Sequence, residues 1–304
     1  MKINIGNVCG LIVFSTIGCF TLLGSVYSQS TKVPPTTSIK SGTTLIWNDS
    51  DTSFERVEVL DFEIGIYEVT VAEFEQFTED SGKKVNSDCP ASSIAHERHA
   101  KFNWKKPGFY QTGNYPVVCV SWRDAQEYVK WLSDRTGKKI RLPTVAEWNM
   151  VRYPGLIEPD ESEISKVELC NENIGDQSFA NAIPISGFRR QSAIADNDSS
   201  RDEELEKKRK YYGADCEDGF EFTSPVGSFK SNKFGAHDLR GNVSEWMDGC
   251  NPPTAPGNPA FCRLKGGNWA SGFSKSSADL KTGSAFPERG YQYIGFRIAI
   301  SSVE

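Results

Sequence analysis

Three stretches of the chain repeat one device. Thr70-Val71-Ala72-Glu73, Ser121-Trp122-Arg123-Asp124 and Thr144-Val145-Ala146-Glu147 each place a hydroxyl residue three positions before a carboxylate, at the start of an apolar pattern of helical period. The hydroxyl can accept from a backbone N–H of the first helical turn while the carboxylate reaches back to the capping residue. Behind the first box, Val71, Phe74 and Phe77 share one face and Gly82 ends the helix. Behind the second, Trp122, Ala125, Val129 and Leu132 form a stripe closed by Gly137; behind the third, Trp148 and Val151 face inward. Val57 to Ile64 alternates apolar and polar residues and predicts one half-buried strand.

From Pro154 to Ser228 the periodicity almost vanishes. Gly, Asn, Asp, Ser and Pro dominate, which predicts long loops with few regular elements. Within this stretch Ser192 to Lys210 reads as a solvated insertion, disordered or helical, with Glu203/Lys207 and Glu204/Lys208 at i,i+4 spacing. No internal repeat is visible.

The other end of the chain starts with Met1-Lys2, an apolar run from Val8 to Leu23, and then small and polar residues. That order predicts a secretory signal peptide over residues 1–28, cut after Ser28. The apolar run is short for a bilayer span of ~20 residues, so an uncleaved anchor is the lesser reading. Cys19 after Gly18 raises lipoprotein processing, although the apolar run continues past it. Residues 29–44, with Pro34-Pro35, read as a flexible linker, and 45–304 as a single domain. No later segment is apolar enough to span a membrane. The predicted location is secreted, periplasmic or otherwise in the cell envelope.

A net charge of −6 with scattered basic residues weighs against a nucleic-acid partner. Seven Trp and 18 Phe predict a large aromatic interior. Six cysteines follow the signal: Cys89, Cys119, Cys170, Cys216, Cys250 and Cys262. An even count behind a signal peptide predicts disulfides, and without any CxxC pair zinc is a weak alternative. Spacing alone does not choose among the pairings; the simplest scheme is sequential, Cys89–Cys119, Cys170–Cys216 and Cys250–Cys262.

The densest chemistry lies in Phe234 to Trp246, FGAHDLRGNVSEW, followed by RLKGGNWAS at Arg263 to Ser271. Asp238, Gly241, Asn242 and Glu245 fall within eight residues. Such spacing suits a structured loop, whose oxygens can either cap turns or enclose a hard cation such as Ca²⁺.

Eight ordered motifs carry a family resemblance. They are Tyr67-Glu68-Val69-Thr70, Pro116 to Trp122, Arg141-Leu142-Pro143-Thr144 through Glu147-Trp148, and Ala214 to Phe220. The series continues with Pro225 to Phe229, Gly241-Asn242-Val243-Ser244-Glu245-Trp246, Gly266-Gly267-Asn268-Trp269 and Gly295-Phe296-Arg297. In these the chain resembles the formylglycine-generating enzymes, or sulfatase-modifying factors. The resemblance implies an α+β fold of irregular topology and low regular secondary structure, often compared with C-type lectins. It also implies two structural Ca²⁺ sites. One takes the carboxylates of Asp238 and Glu245 with the carbonyls of Gly241 and Val243. The other takes the side chains of Asn173 and Asp218 with the carbonyls of Ile174 and Phe220. Oxygen-only ligation of this kind suits Ca²⁺.

The family's reaction oxidises a substrate cysteine to formylglycine, using two cysteines that bind copper(I) shortly after the glycine-glycine motif. Their positions here fall on Ser271 and Ser276, and Ala270 to Ser284 holds no cysteine. Hydroxyls do not replace soft thiolates on Cu(I), so no copper is expected. His96-Glu97-Arg98-His99 spaces two histidines for a metal on a helix, yet only three histidines exist and a surface role is the simpler reading. No nucleophile elbow or phosphate loop is present, and no histidine is placed to activate Ser271 or Ser276. The expected function is therefore a non-catalytic binding or scaffold protein. It would hold a protein, peptide or glycan in a cleft near Asn268, Trp269, Ser271 and Ser276. The alternative is an oxidoreductase of the same family with thiol-independent chemistry.

Overall fold

The three capping boxes each start a helix in the computed structural model of the chain. The residues described are 31–48, 53–85, 88–90, 101–155, 171–176, 178–179, 216–251, 260–271 and 282–302. They belong to one compact unit, Thr31–Glu304. The expected signal peptide, the Ser192–Lys210 insertion, His96 to His99, Cys170 and Ser276 lie outside them. Helix α1 runs Val71–Ser81, α2 Trp122–Thr136 and α3 Val145–Arg152. Thr70, Ser121 and Thr144 accept from the backbone N–H three residues on, and the carboxylates of Glu73, Asp124 and Glu147 return to the cap. Gly82 and Gly137 end α1 and α2 in the left-handed region, at φ 67° and 69°.

The strands are short. They are β1 Thr36–Ile39, β2 Gly42–Asn48, β3 Ser53–Val59, β4 Phe62–Gly65, β5 Cys89–Pro90, β6 Lys101–Phe102, β7 Ile140–Arg141, β8 Ser244–Asn251, β9 Phe261–Lys265, β10 Gly283–Ala285, β11 Ile294–Gly295 and β12 Ala299–Ser301. Two four-stranded sheets have the orders β1-β4-β12-β7 and β10-β9-β8-β11; β2-β3 and β5-β6 form two-stranded pairs. The mixed α+β, loop-rich architecture agrees with the expectation from sequence.

Two expectations need correction. The stretch taken as linker contains β1, which pairs with β4 from Thr36↔Gly65 to Ile39↔Phe62. It is an edge strand whose one deeply buried residue is Ile39, so its Thr and Ser side chains give it a linker's composition. The single strand expected over Val57–Ile64 is two strands. The chain leaves the β2–β3 pair after Val59 and joins a different sheet at Phe62, leaving Leu60 76% exposed. Asp61 holds this corner by accepting from the Ser41 N–H at 2.7 Å. The inward phase slips by one residue at the corner, from Val57 and Val59 to Phe62 and Ile64, and the apolar but exposed Leu60 hides the slip in the sequence.

The core confirms the aromatic interior. Phe74 of α1 meets Trp104 at 5.2 Å and Phe77 at 5.3 Å between ring centroids, and Tyr128 of α2 meets Phe296 at 5.3 Å. A second cluster, with Ile39, Ile64, Trp148 and Met247, packs under α3. The disulfides Cys89–Cys119 and Cys250–Cys262 follow the sequential scheme, the latter joining directly opposed residues of β8 and β9. Cys216 is also disulfide-bonded.

Candidate functional site

The strand β8 begins at Ser244, immediately after the acidic loop. β11 runs parallel beside it, with Ile294↔Ser244 and Gly295↔Glu245. This register brings the Gly295-Phe296-Arg297 motif against Glu245. Both side chains are fully buried. Arg297 donates from Nε to Glu245 Oε2 and from Nη2 to Oε1, each at 2.7 Å. Its remaining donors reach the Gly65 carbonyl at 3.0 Å and the His237 carbonyl at 2.9 Å. Trp148 Nε1 of α3 completes the shell on Glu245 Oε2 at 3.0 Å. Burial by itself lowers the pKa of Arg297; Glu245, helped by Glu68 and Asp238, outweighs it and raises it.

Both carboxylate oxygens of Glu245 are thereby hydrogen-bonded, to Arg297 and to Trp148. The unpartnered oxygens lie elsewhere. Asp238 Oδ1, both carboxylate oxygens of Glu68 and Glu172 Oε2 are buried without a hydrogen-bond partner. Asp238 Oδ2 accepts from the Gly227 N–H at 2.7 Å. Glu68 is 1% exposed. Burial, then the negative charge of Asp238, pushes its pKa well above the carboxylate range. Burial also raises Asp238, and it pushes Glu172 to about 7. Glu68, Asp238, Glu172 and Glu245 thus share the charge of Arg297, with Arg152 acting on Glu172. Buried carboxylates in excess of cations favour either bound protons or a further cation.

Of the second group of expected ligands, Asn173 and Asp218 each keep one buried oxygen without a partner. Asn173 donates from Nδ2 to the Phe222 carbonyl at 2.8 Å and to Asn242 Oδ1 at 3.3 Å, while its Oδ1 is buried and unpartnered. Asp218 accepts from the Phe220 N–H at 2.7 Å with Oδ1, and its Oδ2 is likewise unpartnered. Burial pushes its pKa to about 7, against the lowering effect of the Phe220 and Ile174 N–H groups. Among the described residues no three His, Cys, Asp or Glu side chains converge to hold a metal by themselves. A cation here needs amide and backbone carbonyl oxygens as well, which is the donor set of Ca²⁺ rather than of zinc or copper.

Asn242 ties the two groups together. Asp238 and Asn242 both adopt φ near +60°, a conformation that Asp and Asn tolerate better than other side chains. Fully buried, Asn242 donates its N–H to the Asn173 carbonyl at 2.6 Å and accepts from the Ser224 and Trp269 N–H groups, each at 3.0 Å. Gly241 is needed beside it, since a Cβ there would stand 2.0 Å from the Asn173 carbonyl oxygen.

Trp269, expected to line a cleft, is 1% exposed and belongs to the interior. It packs between Phe109, Phe179 and Phe222 and donates to the Gln292 carbonyl at 3.2 Å. Asn268 and Ser271 remain partly exposed and close a tight turn. Ser271 Oγ accepts from the Asn268 N–H at 3.0 Å, and Asn268 Nδ2 donates to Ser244 Oγ at 3.0 Å. The Ser271 carbonyl accepts from the Gly175 N–H at 2.9 Å, joining this turn to the Asn173 loop. His237 packs locally, with Nδ1 2.7 Å from the Phe229 carbonyl.

Sequence reasoning missed Glu68 and Glu172 as site residues and left Arg297 without a role. Glu68 and Arg297 both sat inside quoted motifs. A carboxylate or guanidinium fixed between apolar residues was the signal available. Glu172 lies in an unpatterned loop and gave none.

Comparison with known proteins identifies the family and the fold. Residues 24–302 match the sulfatase-modifying factor enzyme 1-like domain. The chain is 26% identical over 231 residues to the formylglycine-generating enzyme of Mus musculus, covering 66% of this chain and 52% of that protein. It therefore spans about half the length of that relative. It is 24% identical over 285 residues to inactive C-alpha-formylglycine-generating enzyme 2 of Mus musculus, covering 84% and 80%. The solved structure of PvdO from Pseudomonas aeruginosa shares the fold, with a TM-score of 0.60 at 24% identity over 88% of this chain and 95% of that one. The chain belongs to the sulfatase-modifying factor family and has the fold of the formylglycine-generating enzymes.

Proposed function

We propose that this protein is a non-catalytic member of its family, a binding or scaffold domain stabilised by Ca²⁺ and working in the cell envelope or outside the cell. The observation that carries this reading is the chemistry after the glycine pair. Serine stands at both positions where the resemblance expects a copper-binding cysteine, and no cysteine follows Cys262 in the chain. Ser271 spends its hydroxyl on a turn. The nearest upstream sulfurs, Cys250 and Cys262, are joined to each other and supply no thiolate. Similarity to an inactive relative over most of both chains supports the same reading. Disulfides in the buried interior support a location outside the reducing cytosol. Among the described residues no helix is long and apolar enough to cross a membrane.

Incubation with a sulfatase-type cysteine peptide under oxygen and copper(I), followed by mass, tests the claim. The peptide mass is expected to stay unchanged. Conversion to formylglycine at an enzymatic rate would overturn it.

Calcium is the cofactor this reading implies. Asp238 with Glu68 would hold one ion, and Asn173 with Asp218 the other, each completed by backbone carbonyls of its loop. The ions would replace the protons these buried carboxylates otherwise retain and would tie the loops together. The melting midpoint is expected to fall when Ca²⁺ is chelated and to return when it is restored. Saturation at about 100 times Kd adds ~2.7 kcal/mol per site, several degrees for a domain of this size. An unchanged midpoint after complete removal would count against structural calcium.

A further inference from the structure

A groove of about 1050 Å³ opens between the C-terminal end of α1 and the β5–β6 pair. Neither the acidic loops nor the Asn268–Ser271 turn contributes to its lining. Four lysines line it, Lys83, Lys84, Lys101 and Lys105, in a chain whose net charge is −6. Two of the four are already compensated. Lys83 pairs with Glu127; Lys105 pairs with Glu75 at 3.0 Å and lies over the Trp104 ring at 4.8 Å. Lys84 and Lys101 are exposed and carry no ion pair among the described residues.

Three features narrow what such a groove can hold. Uncompensated ammonium groups call for an anionic ligand. Among the described residues no arginine lines the groove, so none of them offers a planar fork to read a carboxylate or phosphate in a fixed orientation, and lysines respond to charge density alone. The wall is not uniformly basic. Glu79 is exposed there without an ion pair among the described residues, and Asp88 faces Arg289 at 3.9 Å. These carboxylates repel a wholly anionic segment but accept from hydroxyl groups. Asn103 adds donors. Its Oδ1 is taken by the Lys105 and Lys106 N–H groups, each at 3.0 Å, which leaves its amide NH₂ for a ligand. A ligand that alternates anionic groups with hydroxyls satisfies both kinds of wall. The volume is at the upper end of small-molecule sites, about 300–1,000 Å³, and so suits several linked units better than one.

We propose that this groove binds an acidic polysaccharide. The site is separate from the calcium loops, and it stands whether or not the protein retains catalytic activity.

The test uses the full-length protein with three probes: a sulfated dextran oligosaccharide, unmodified dextran of equal length, and polyglutamate. Sulfated dextran is expected to bind, about tenfold more weakly at roughly 0.5 M than at 0.05 M salt, and unmodified dextran is not. The double variant Lys84→Glu/Lys101→Glu is expected to lose about tenfold in affinity with an unchanged melting midpoint. Lys130→Glu, on α2 and already paired with Asp134, serves as the control and is expected to bind as the parent does. Absence of binding to sulfated dextran would overturn the proposal. So would equal losses in the double variant and the control, which indicate diffuse attraction. Tighter binding of polyglutamate at equal charge would overturn it in favour of an acidic peptide.

Discussion

Replacing Arg297 with methionine is expected to cost about 3–5 kcal/mol of folding stability, because it leaves Glu245 as a buried anion without its counter-charge. Glu245 has no exposed surface and would keep only the Trp148 N–H at 3.0 Å. The carbonyls of Gly65 and His237 would lose their donors as well. The damage reaches beyond the pair, since Arg297 joins two sheets. It follows β11, which is hydrogen-bonded to β8, and it bonds the carbonyl at the end of β4 in the other four-stranded sheet. A domain with about 5–15 kcal/mol in total then unfolds at modest denaturant or fails to accumulate. Urea unfolding measures the loss, and a change below about 1 kcal/mol, the size expected at an exposed pair, would contradict the account. The double variant Arg297→Met/Glu245→Met supplies the control. With both charges gone the stranded anion is gone too, and apolar replacements of buried pairs are often near neutral. Part of the stability is therefore expected to return.

Gly241→Ala is expected to have the second largest effect, and its cause is steric. The new Cβ would stand 2.0 Å from the Asn173 carbonyl oxygen and 2.7 Å from its carbon, both backbone atoms. No rotamer relieves that contact, so the loop carrying Asn173 must move. Moving it breaks the 2.6 Å bond from the Asn242 N–H and pulls the Asn173 side chain from the Phe222 carbonyl. Overpacking costs about 1–3 kcal/mol or more where the backbone cannot yield. The Asn173 and Asp218 oxygens would also separate, and the variant should lose part of the stabilisation that Ca²⁺ gives the parent. Gly82→Ala is the comparison. At φ 67° with nothing within 4 Å of the added carbon, it meets only the left-handed backbone penalty, about 1–2 kcal/mol. It should melt lower than the parent yet keep its full response to Ca²⁺. Equal calcium responses in the two variants would show that Gly241 does not hold the loops together.

The three helices were legible because their signals are local. A cap, a carboxylate three residues on, a stripe and a closing glycine all lie within one or two turns, and each acts before any tertiary contact forms. The disulfides at Cys89–Cys119 and Cys250–Cys262 match the simplest, sequential scheme, although spacing did not choose that scheme over the other pairings. The strands were harder to read. β1 was lost to its composition, because an edge strand buries little and its polar side chains resemble a linker. The corner at Leu60 and Asp61 was lost because Leu60, apolar yet exposed, extends the alternation of Phe62 and Ile64 back to Val59 and masks a one-residue slip in phase.

In the candidate site the balance is the same. Residue types and spacing marked Asp238 and Gly241 as members of an oxygen-rich loop, and the family resemblance added Asn173. The allocation of charges was beyond them. Glu245 and Glu68 are both carboxylates within motifs, 177 positions apart, and nothing in either motif says which faces Arg297.

The sequence alone determined the helices, the family and the lack of cysteine after the glycine pair, since each rests on neighbouring residues or on the presence of a particular atom. Only the tertiary structure decided that Arg297 occupies Glu245, that Glu68 and Asp238 keep unpartnered oxygens, that Trp269 is buried and that lysines from two segments share one groove. Those outcomes depend on register between β8 and β11 and on loops meeting across the fold, where desolvation and distance set the energy of a charge and sequence separation does not.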